Sequence, residues 1–272
     1  MKLWAISDLH VGYRANLFAI GELEPRPRDW LVLCGDVGDT LEQVELALRL
    51  LNEKFSRLLW VPGNHELWTV PRKTGLRGVE RYEALVDLCR RHDVLTPEDP
   101  FPLWTGDGGP HVLAPLFVLY DYSFRPDDVN EDEAVAWAEE SGIVCSDEYL
   151  IRPEPYASLP DWCRARLTQT LGRLEETERE GLPLILVNHY PLRRDLLRLR
   201  RIPRFSIWCG TTATEDWHTR FGASVVVYGH LHVKGTHFRD GVRFEEVSLG
   251  YPRDWNQSLG LGAYLRQILP AP

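Results

Sequence analysis

Leu3-Trp4-Ala5-Ile6-Ser7-Asp8-Leu9-His10 decides the reading of this chain: an apolar run of strand length passes directly into an aspartate and a histidine two positions apart. The same event recurs four more times. Apolar runs at Trp30 to Leu33, Leu58 to Val61, Pro183 to Val187 and Ser224 to Tyr228 lead into Gly35-Asp36, Gly63-Asn64-His65-Glu66, His189 and Gly229-His230-Leu231-His232. Each motif alone is a weak signal, because an isolated Asp-x-His or Asn-His arises by chance. Their shared position is a strong one, since loops at the carboxyl ends of strands in open α/β folds converge on one crevice. The pattern predicts an α/β fold in which five distant motifs meet in space.

Between the motifs the chain alternates in the βα manner. Leu41 to Phe55 carries Leu41, Val44, Leu48, Leu51 and Phe55 at helical spacing, with Asp39 or Thr40 available to cap it. Val79 to Arg91 repeats the pattern, with its arginines assigned to the solvent face. Val112 to Tyr120 reads as a buried strand. Asp127 to Pro160 is acidic and broken by prolines, and predicts a cap-like insertion at about 125–160 with a short helix near Ala134 to Glu140. A long amphipathic helix is expected over Asp161 to Glu180, ended by Gly181 and Pro183. Asp240-Gly241, a favoured hairpin dipeptide, joins strands at Thr236 to Phe238 and Val242 to Leu249. The expected architecture is an α/β (α+β) sandwich of two mixed β-sheets flanked by helices: one domain over 1–255, with 256–272 as a C-terminal tail.

Composition narrows the function. The 272 residues carry a net charge of −9, which argues against a general electrostatic grip on nucleic acid. Cys34, Cys89, Cys145, Cys163 and Cys209 are widely spaced and odd in number, so neither a disulfide framework nor a zinc ribbon is indicated. No apolar run approaches the roughly 20 residues that span a bilayer. The expected location is the cytoplasm.

Histidine nitrogen and carboxylate oxygen suit first-row transition metals such as Mn, Fe and Zn, and a donor set without cysteine argues against a closed structural zinc site. A glycine before Asp36, Asn64 and His230 permits close backbone approach where each strand ends. Two divalent ions bring four positive charges, of which Asp8 and Asp36 cancel two. The remainder matches a phosphoryl group plus hydroxide. Two ions about 3.5 to 4 Å apart can hold a bridging water as hydroxide and clamp the oxygens of an in-line displacement.

Taken in order, these motifs resemble the calcineurin-like metallophosphoesterase superfamily, whose pattern is D-x-H, G-D, G-N-H-[DE], a separate H and G-H-x-H. The resemblance implies that Asp8, His10 and His232 bind one metal, that Asn64, His189 and His230 bind the other, and that Asp36 bridges them. It implies Mn and/or Fe, with Zn possible, and a catalytic role for His65 in stabilising the transition state or protonating the leaving oxygen. Glu66 is expected to orient that loop. Further stretches, among them Leu119-Tyr120-Asp121-Tyr122-Ser123-Phe124, Trp208-Cys209-Gly210-Thr211-Thr212 and Val242-Arg243-Phe244-Glu245-Glu246-Val247-Ser248, resemble a bacterial branch of that superfamily. Its members include a hydrolase that strips 4′-phosphopantetheine from acyl carrier proteins. The function implied is a phosphodiesterase acting on phosphopantetheinylated carrier protein. The alternatives are hydrolysis of cyclic nucleotides or other small phosphoesters, and a non-catalytic metal-binding scaffold.

Plainer readings compete at several positions. His92, His111, His218 and His237 are expected to be ordinary core or surface residues. Arg193, Arg194, Arg198, Arg200, Arg201 and Arg204 form a basic segment that either docks an acidic carrier protein or pairs with the protein's own acids. Tyr120, Tyr122, Trp68 and Trp208 either shape substrate access or fill the core.

Overall fold

Among the described residues ten strands build two sheets, and the order of those strands brings the five motifs to a common edge. The structure is a computed structural model describing residues 1–69, 75–177 and 181–272. The strands are β1 (Leu3–Ile6), β2 (Arg26–Leu33), β3 (Phe55–Trp60), β4 (Leu103–Trp104), β5 (His111–Pro115), β6 (Leu184–Val187), β7 (Ala223–Tyr228), β8 (Gly235–Arg239), β9 (Val242–Glu246) and β10 (Arg266–Leu269). One sheet has the order β10-β1-β2-β3 and the other β4-β5-β6-β7-β9-β8. Strands β1, β2 and β3 are parallel, as are β5, β6, β7 and β9, while β4, β8 and β10 run antiparallel at the edges. Both sheets are therefore mixed, as expected.

Side-chain alternation explains why the central strands read as unbroken apolar runs. Leu3, Ala5, Val32 and Leu59 of the first sheet pack with Leu113, Ile185, Val187, Val225 and Val227 of the second in one buried cluster. The intervening residues, including Ile6, Leu31, Leu33, Leu58, Trp60, Leu184, Leu186 and Val226, belong to a second cluster shared with the helices. A parallel strand covered on both faces has no polar side to show. The bridge between Ser7 and Ser248 ties the end of β1 to the chain just beyond β9.

The helices follow their local signals. Thr40 caps the helix Leu41–Asn52 by accepting from the Gln43 amide, and Phe55 opens β3 instead of closing that helix. Ser158 caps the helix Leu159–Glu176, with Pro160 in its first turn. The last residues expected in that helix, 178–180, lie outside the described residues.

Three expectations need correction. The strand predicted over Val112 to Tyr120 ends at Pro115, although Leu116 to Tyr120 are buried. There the Asn188 side chain replaces the ladder, accepting from the Val118 amide at 3.0 Å and donating to the Val118 and Tyr190 carbonyls. The presumed tail at 256–272 includes β10, whose pairing to β1 supplies an edge of the first sheet. Arg81, assigned to solvent, is 2% exposed and donates to the carbonyls of Glu66 and Asp39. No helix among the described residues is long and apolar enough to cross a membrane.

Candidate metal centre

All five motifs follow strands β1, β2, β3, β6 and β7, and their backbones interlock before any side chain is considered. The Asp8 amide donates to the Gly35 carbonyl, the His10 amide to Asp36, and the Gly229 amide to His189, each at 2.9 Å. Asp8, His10, Asp36, His230 and His232 all have positive φ, between 41° and 70°. That region costs L-residues of order 1–3 kcal/mol each and clusters at functional sites. The glycines preceding Asn64 and His230 serve contact instead of φ. A β-carbon on Gly63 would collide with the backbone and carboxylate of Asp36, and one on Gly229 with Ser7 and Asp8.

Glu66 fixes the Asp36 loop. Its two carboxylate oxygens accept from the amides of Asp36, Val37 and Gly63 at 2.7–2.9 Å, locking the loops after β2 and β3 together. Asp36 in turn accepts from the His65 amide at 3.0 Å.

Donor atoms converge in the pattern a metal pair needs. Asp8 Oδ1 lies 3.0 Å from His232 Nε2 and 3.8 Å from His10 Nε2, and the two histidine nitrogens face each other at 3.3 Å. On the other side of Asp36, His189 Nε2 lies 3.2 Å from Asn64 Oδ1 and 3.6 Å from Asp36 Oδ1. Asp8, His10 and His232 form one group able to hold a cation, and Asp8, Asp36 and His189 another. Among the described residues His230 Nε2 is shut away from solvent with no hydrogen-bond partner, which suits a nitrogen placed to bind a cation.

Surrounding groups preset these side chains. His189 Nδ1 lies 2.8 Å from the Cys34 carbonyl and donates to it, which leaves Nε2 as the free lone pair. Asp254 lies 3.3 Å from His232 Nδ1, and Ser248 donates to Asp8 at 2.7 Å. Asp147, fully buried, accepts from Asn64 Nδ2 at 3.0 Å, Trp68 Nε1 at 2.7 Å and the Tyr120 hydroxyl at 3.2 Å. With the Asn64 amide nitrogen so engaged, its oxygen faces the centre.

Electrostatics gives the same answer. Burial, reinforced by Asp8 and Glu66, pushes the Asp36 carboxyl well above its ordinary range. Burial also opposes ionisation of Asp8, but His232, His189 and His10 together outweigh it and hold that carboxyl well below its usual value. His10 falls to about 3 through burial and the neighbouring His65, and burial likewise lowers His189 and His230. His232 differs: against burial, Asp8 and Asp254 raise it to about 9, so binding a cation there displaces a proton, whereas His10, His189 and His230 offer neutral nitrogens.

His65 joins His10 and Asp36 in a third group of converging donor atoms, and differs from the other histidines in the partner it holds. Its Nδ1 lies 2.8 Å from Asp39 Oδ1, its Nε2 lies 3.8 Å from Asp36 Oδ2, and its ring rests on Trp68 with centroids 3.7 Å apart. Asp39 is free for this contact because Thr40 makes the helix cap. An aspartate holding one imidazole nitrogen so that the other faces a reaction centre is a general acid–base arrangement.

The remaining candidates divide. Tyr120 is fully buried, and Tyr122, 9% exposed, donates to Glu148 at 2.8 Å. Trp208 is buried and donates to the same carboxylate. These rings are buried and their polar atoms are taken by Asp147 and Glu148. Arg193 is engaged by Asp195 and Asp240, whereas Arg194 is exposed. His92 pairs with Glu45, His218 with Asp240, and His111 with the Gly109 carbonyl. Sequence reasoning missed Asp147, Arg81, Asp254 and the role of Asp39. Only Asp39 offered a sequence signal, as a second carboxylate three residues after Asp36 in the same loop.

A two-sheet α/β core carrying this cluster at its strand ends defines a metal-dependent phosphoester hydrolase. The chain matches the calcineurin-like phosphoesterase family over residues 1–234 and belongs to it. It is 48% identical over 273 residues to the [acyl-carrier-protein] phosphodiesterase PptH of Mycobacterium tuberculosis, covering 99% of this chain and 84% of that one. The crystal structure of phosphopantetheinyl hydrolase (PptH) from the same organism superposes with a TM-score of 0.94, covering 100% of this chain and 96% of that one.

Proposed function

We propose that the protein hydrolyses the phosphodiester joining 4′-phosphopantetheine to acyl carrier protein. One observation carries this reading: 48% identity to a phosphodiesterase of that name along nearly the whole chain. In this reading Asp8, His10 and His232 hold one ion, Asn64, His189 and His230 hold the other, and Asp36 lies between them. Mn and/or Fe are the ions the mixed nitrogen and oxygen donors suit, and Zn fits the same set. When bound, such ions supply Lewis acidity and an acidified water.

The chain's own residues do the rest. A bond forms between water oxygen and phosphorus, the bond from phosphorus to the carrier's serine oxygen breaks, and that oxygen takes a proton. His65 supplies the proton through Nε2, while Asp39 holds the ring. Glu66 and Arg81 keep the loops bearing Asp36, Asp39 and His65 in register.

Arg194, Arg198, Arg200 and Arg201 are the docking residues of this proposal. All four are exposed, and among the described residues none of their side chains makes an ion pair, in a protein of net charge −9. They lead along the chain to Phe205, whose ring lies 6.0 Å from that of His230. Exposed cations beside a site steer an acidic partner toward it. Arg193 and Arg204 are committed elsewhere, to Asp195 and Asp240 and to Glu140. The five cysteines are free and buried, which fits a reducing cytoplasm.

The test is incubation of Mn- or Fe-loaded protein with holo carrier protein, with mass spectrometry of both products. Release of 4′-phosphopantetheine and apo carrier protein is the expected result. An intact holo carrier protein beside active cleavage of another phosphoester would overturn the substrate assignment. Replacing the four docking arginines with glutamine should lower the preference for holo carrier protein over a small phosphodiester; an unchanged preference would remove them from docking.

A further inference from the structure

The loop after β9 builds a cup beside the metal centre. Gly250, with φ of 88°, sends the chain outward, and its amide donates to the Asp8 carbonyl at 3.1 Å. Asp254 then turns the loop back: Oδ2 accepts from the Tyr251 amide at 2.9 Å and lies 3.3 Å from His232 Nδ1. One carboxylate thus sets both a candidate metal ligand and the ring of Tyr251. That ring stacks on His10 with centroids 4.6 Å apart and planes 22° from parallel, and meets His232 edge-on at 4.9 Å. Tyr13, 49% exposed, stands edge-on to Tyr251 at 5.5 Å. The Arg253 guanidinium lies 5.4 Å from the Tyr251 ring centre, and its side chain is 82% exposed. Together Tyr13, Tyr251, Pro252 and Arg253 line a cavity of about 530 Å³.

We propose that this cup binds the pantetheine arm of the phosphodiester, an inference that rests on the functional reading above. A phosphodiester carries two organic substituents, and the two halves of the centre have different surroundings. Beyond His230 lie Tyr190 and Phe205. Beyond His10 lie two aromatic faces and one cation at the rim. The arm is uncharged past its phosphate and consists of methyl-bearing and amide segments. Tyrosine faces pack against such a chain, and a guanidinium donates to amide carbonyls. Arg253 is only weakly held by its own neighbour, with 3.7 Å to Asp254, so it is available to a ligand. The arm therefore lies over Tyr251.

Two synthetic 4-nitrophenyl phosphodiesters test the cup, one whose second ester is methyl and one whose second ester is pantetheinyl. Wild-type protein should favour the pantetheinyl compound in kcat/KM. Arg253→Ala and Tyr13→Ala, both at exposed positions, should each reduce that preference by about tenfold, mainly through KM, the effect of losing one good contact to a bound group. Wild-type protein that cleaves both compounds without preference would overturn the cup and leave the phosphodiesterase reading standing. A preference unchanged in both variants would also overturn it. Failure to cleave either diester or holo carrier protein would remove the functional reading, and the cup with it.

Discussion

Asp39→Asn isolates the contribution of the carboxylate behind His65. The substitution keeps the side-chain shape, and the Asp39 backbone stays anchored, its amide on Gln43 and its carbonyl on Arg81. What changes is the 2.8 Å contact to His65 Nδ1. A hydrogen bond to a charged group contributes about 1.5–3 kcal/mol. Asp39 is 40% exposed, so solvent screening reduces this to about 1–2 kcal/mol. A loss of that size in the transition state lowers kcat about 5- to 30-fold. Because the proposed service is proton donation to the leaving oxygen, the loss should appear with an alkyl leaving group and largely vanish with 4-nitrophenolate, which needs no proton. The assay is steady-state turnover of matched alkyl and 4-nitrophenyl diesters, with metal content measured on the same samples. Equal losses on both substrates at full metal content would refute the acid role of His65 and the supporting role of Asp39.

Other perturbations address the scaffold of the site. Asp147→Ala strands two buried donors, on Asn64 and Tyr120, each costing about 1–3 kcal/mol, and the half-buried Trp68 indole; a lowered Tm and weaker metal retention are expected, and unchanged thermal denaturation would contradict the account of Asn64 positioning. Gly63→Ala should abolish metal binding by forcing a methyl against Asp36, while Gly21→Ala, at a glycine with nothing within 4 Å of the added carbon, should be nearly neutral. Equal effects of the two alanines in metal titrations would show that close approach at Gly63 is unimportant. Loss of activity in chelator and its return with Mn or Fe, followed by a continuous diester assay, is the expected metal dependence; full activity after exhaustive chelation would exclude it.

What could be read from the sequence follows from burial. Strands β1, β2, β6 and β7 sit inside their sheets, and β3, at an edge, is still buried over Leu58 to Trp60, so their apolar runs are continuous and the first polar residues beyond them stand out. The five motifs and the mixed two-sheet fold were legible for that reason. Asp147 was not, because its importance lies in three donors from Asn64, Trp68 and Tyr120, all distant in sequence. The same holds for Arg81, whose helical position resembles its solvent-facing neighbours until the loops it grips are seen. Tyr120 and Tyr122 were ambiguous for the opposite reason: an aromatic run near a site fits both a pocket wall and a core, and their hydroxyl partners Asp147 and Glu148 are visible only in the fold. Buried Leu116 to Tyr120 imitated a strand, but beyond the Leu116 amide's bond to Val187 it is the side chains of Asn188, Arg166 and Thr170 that meet the backbone of Phe117 and Val118. Strand β10 is short and follows a turn-rich stretch, so its pairing with β1 left little periodic pattern.

The central claim is that seven side chains from five strand ends hold two ions with Asp36 between them. Anomalous diffraction from crystals of Mn-loaded wild-type and Asp36→Asn protein tests it most directly. The account predicts two peaks about 3.5 to 4 Å apart in the wild type, with Asp36 within bonding distance of both, and loss of at least one in the variant. A single peak in the wild type, or two peaks retained at full occupancy without the Asp36 carboxylate, would contradict it.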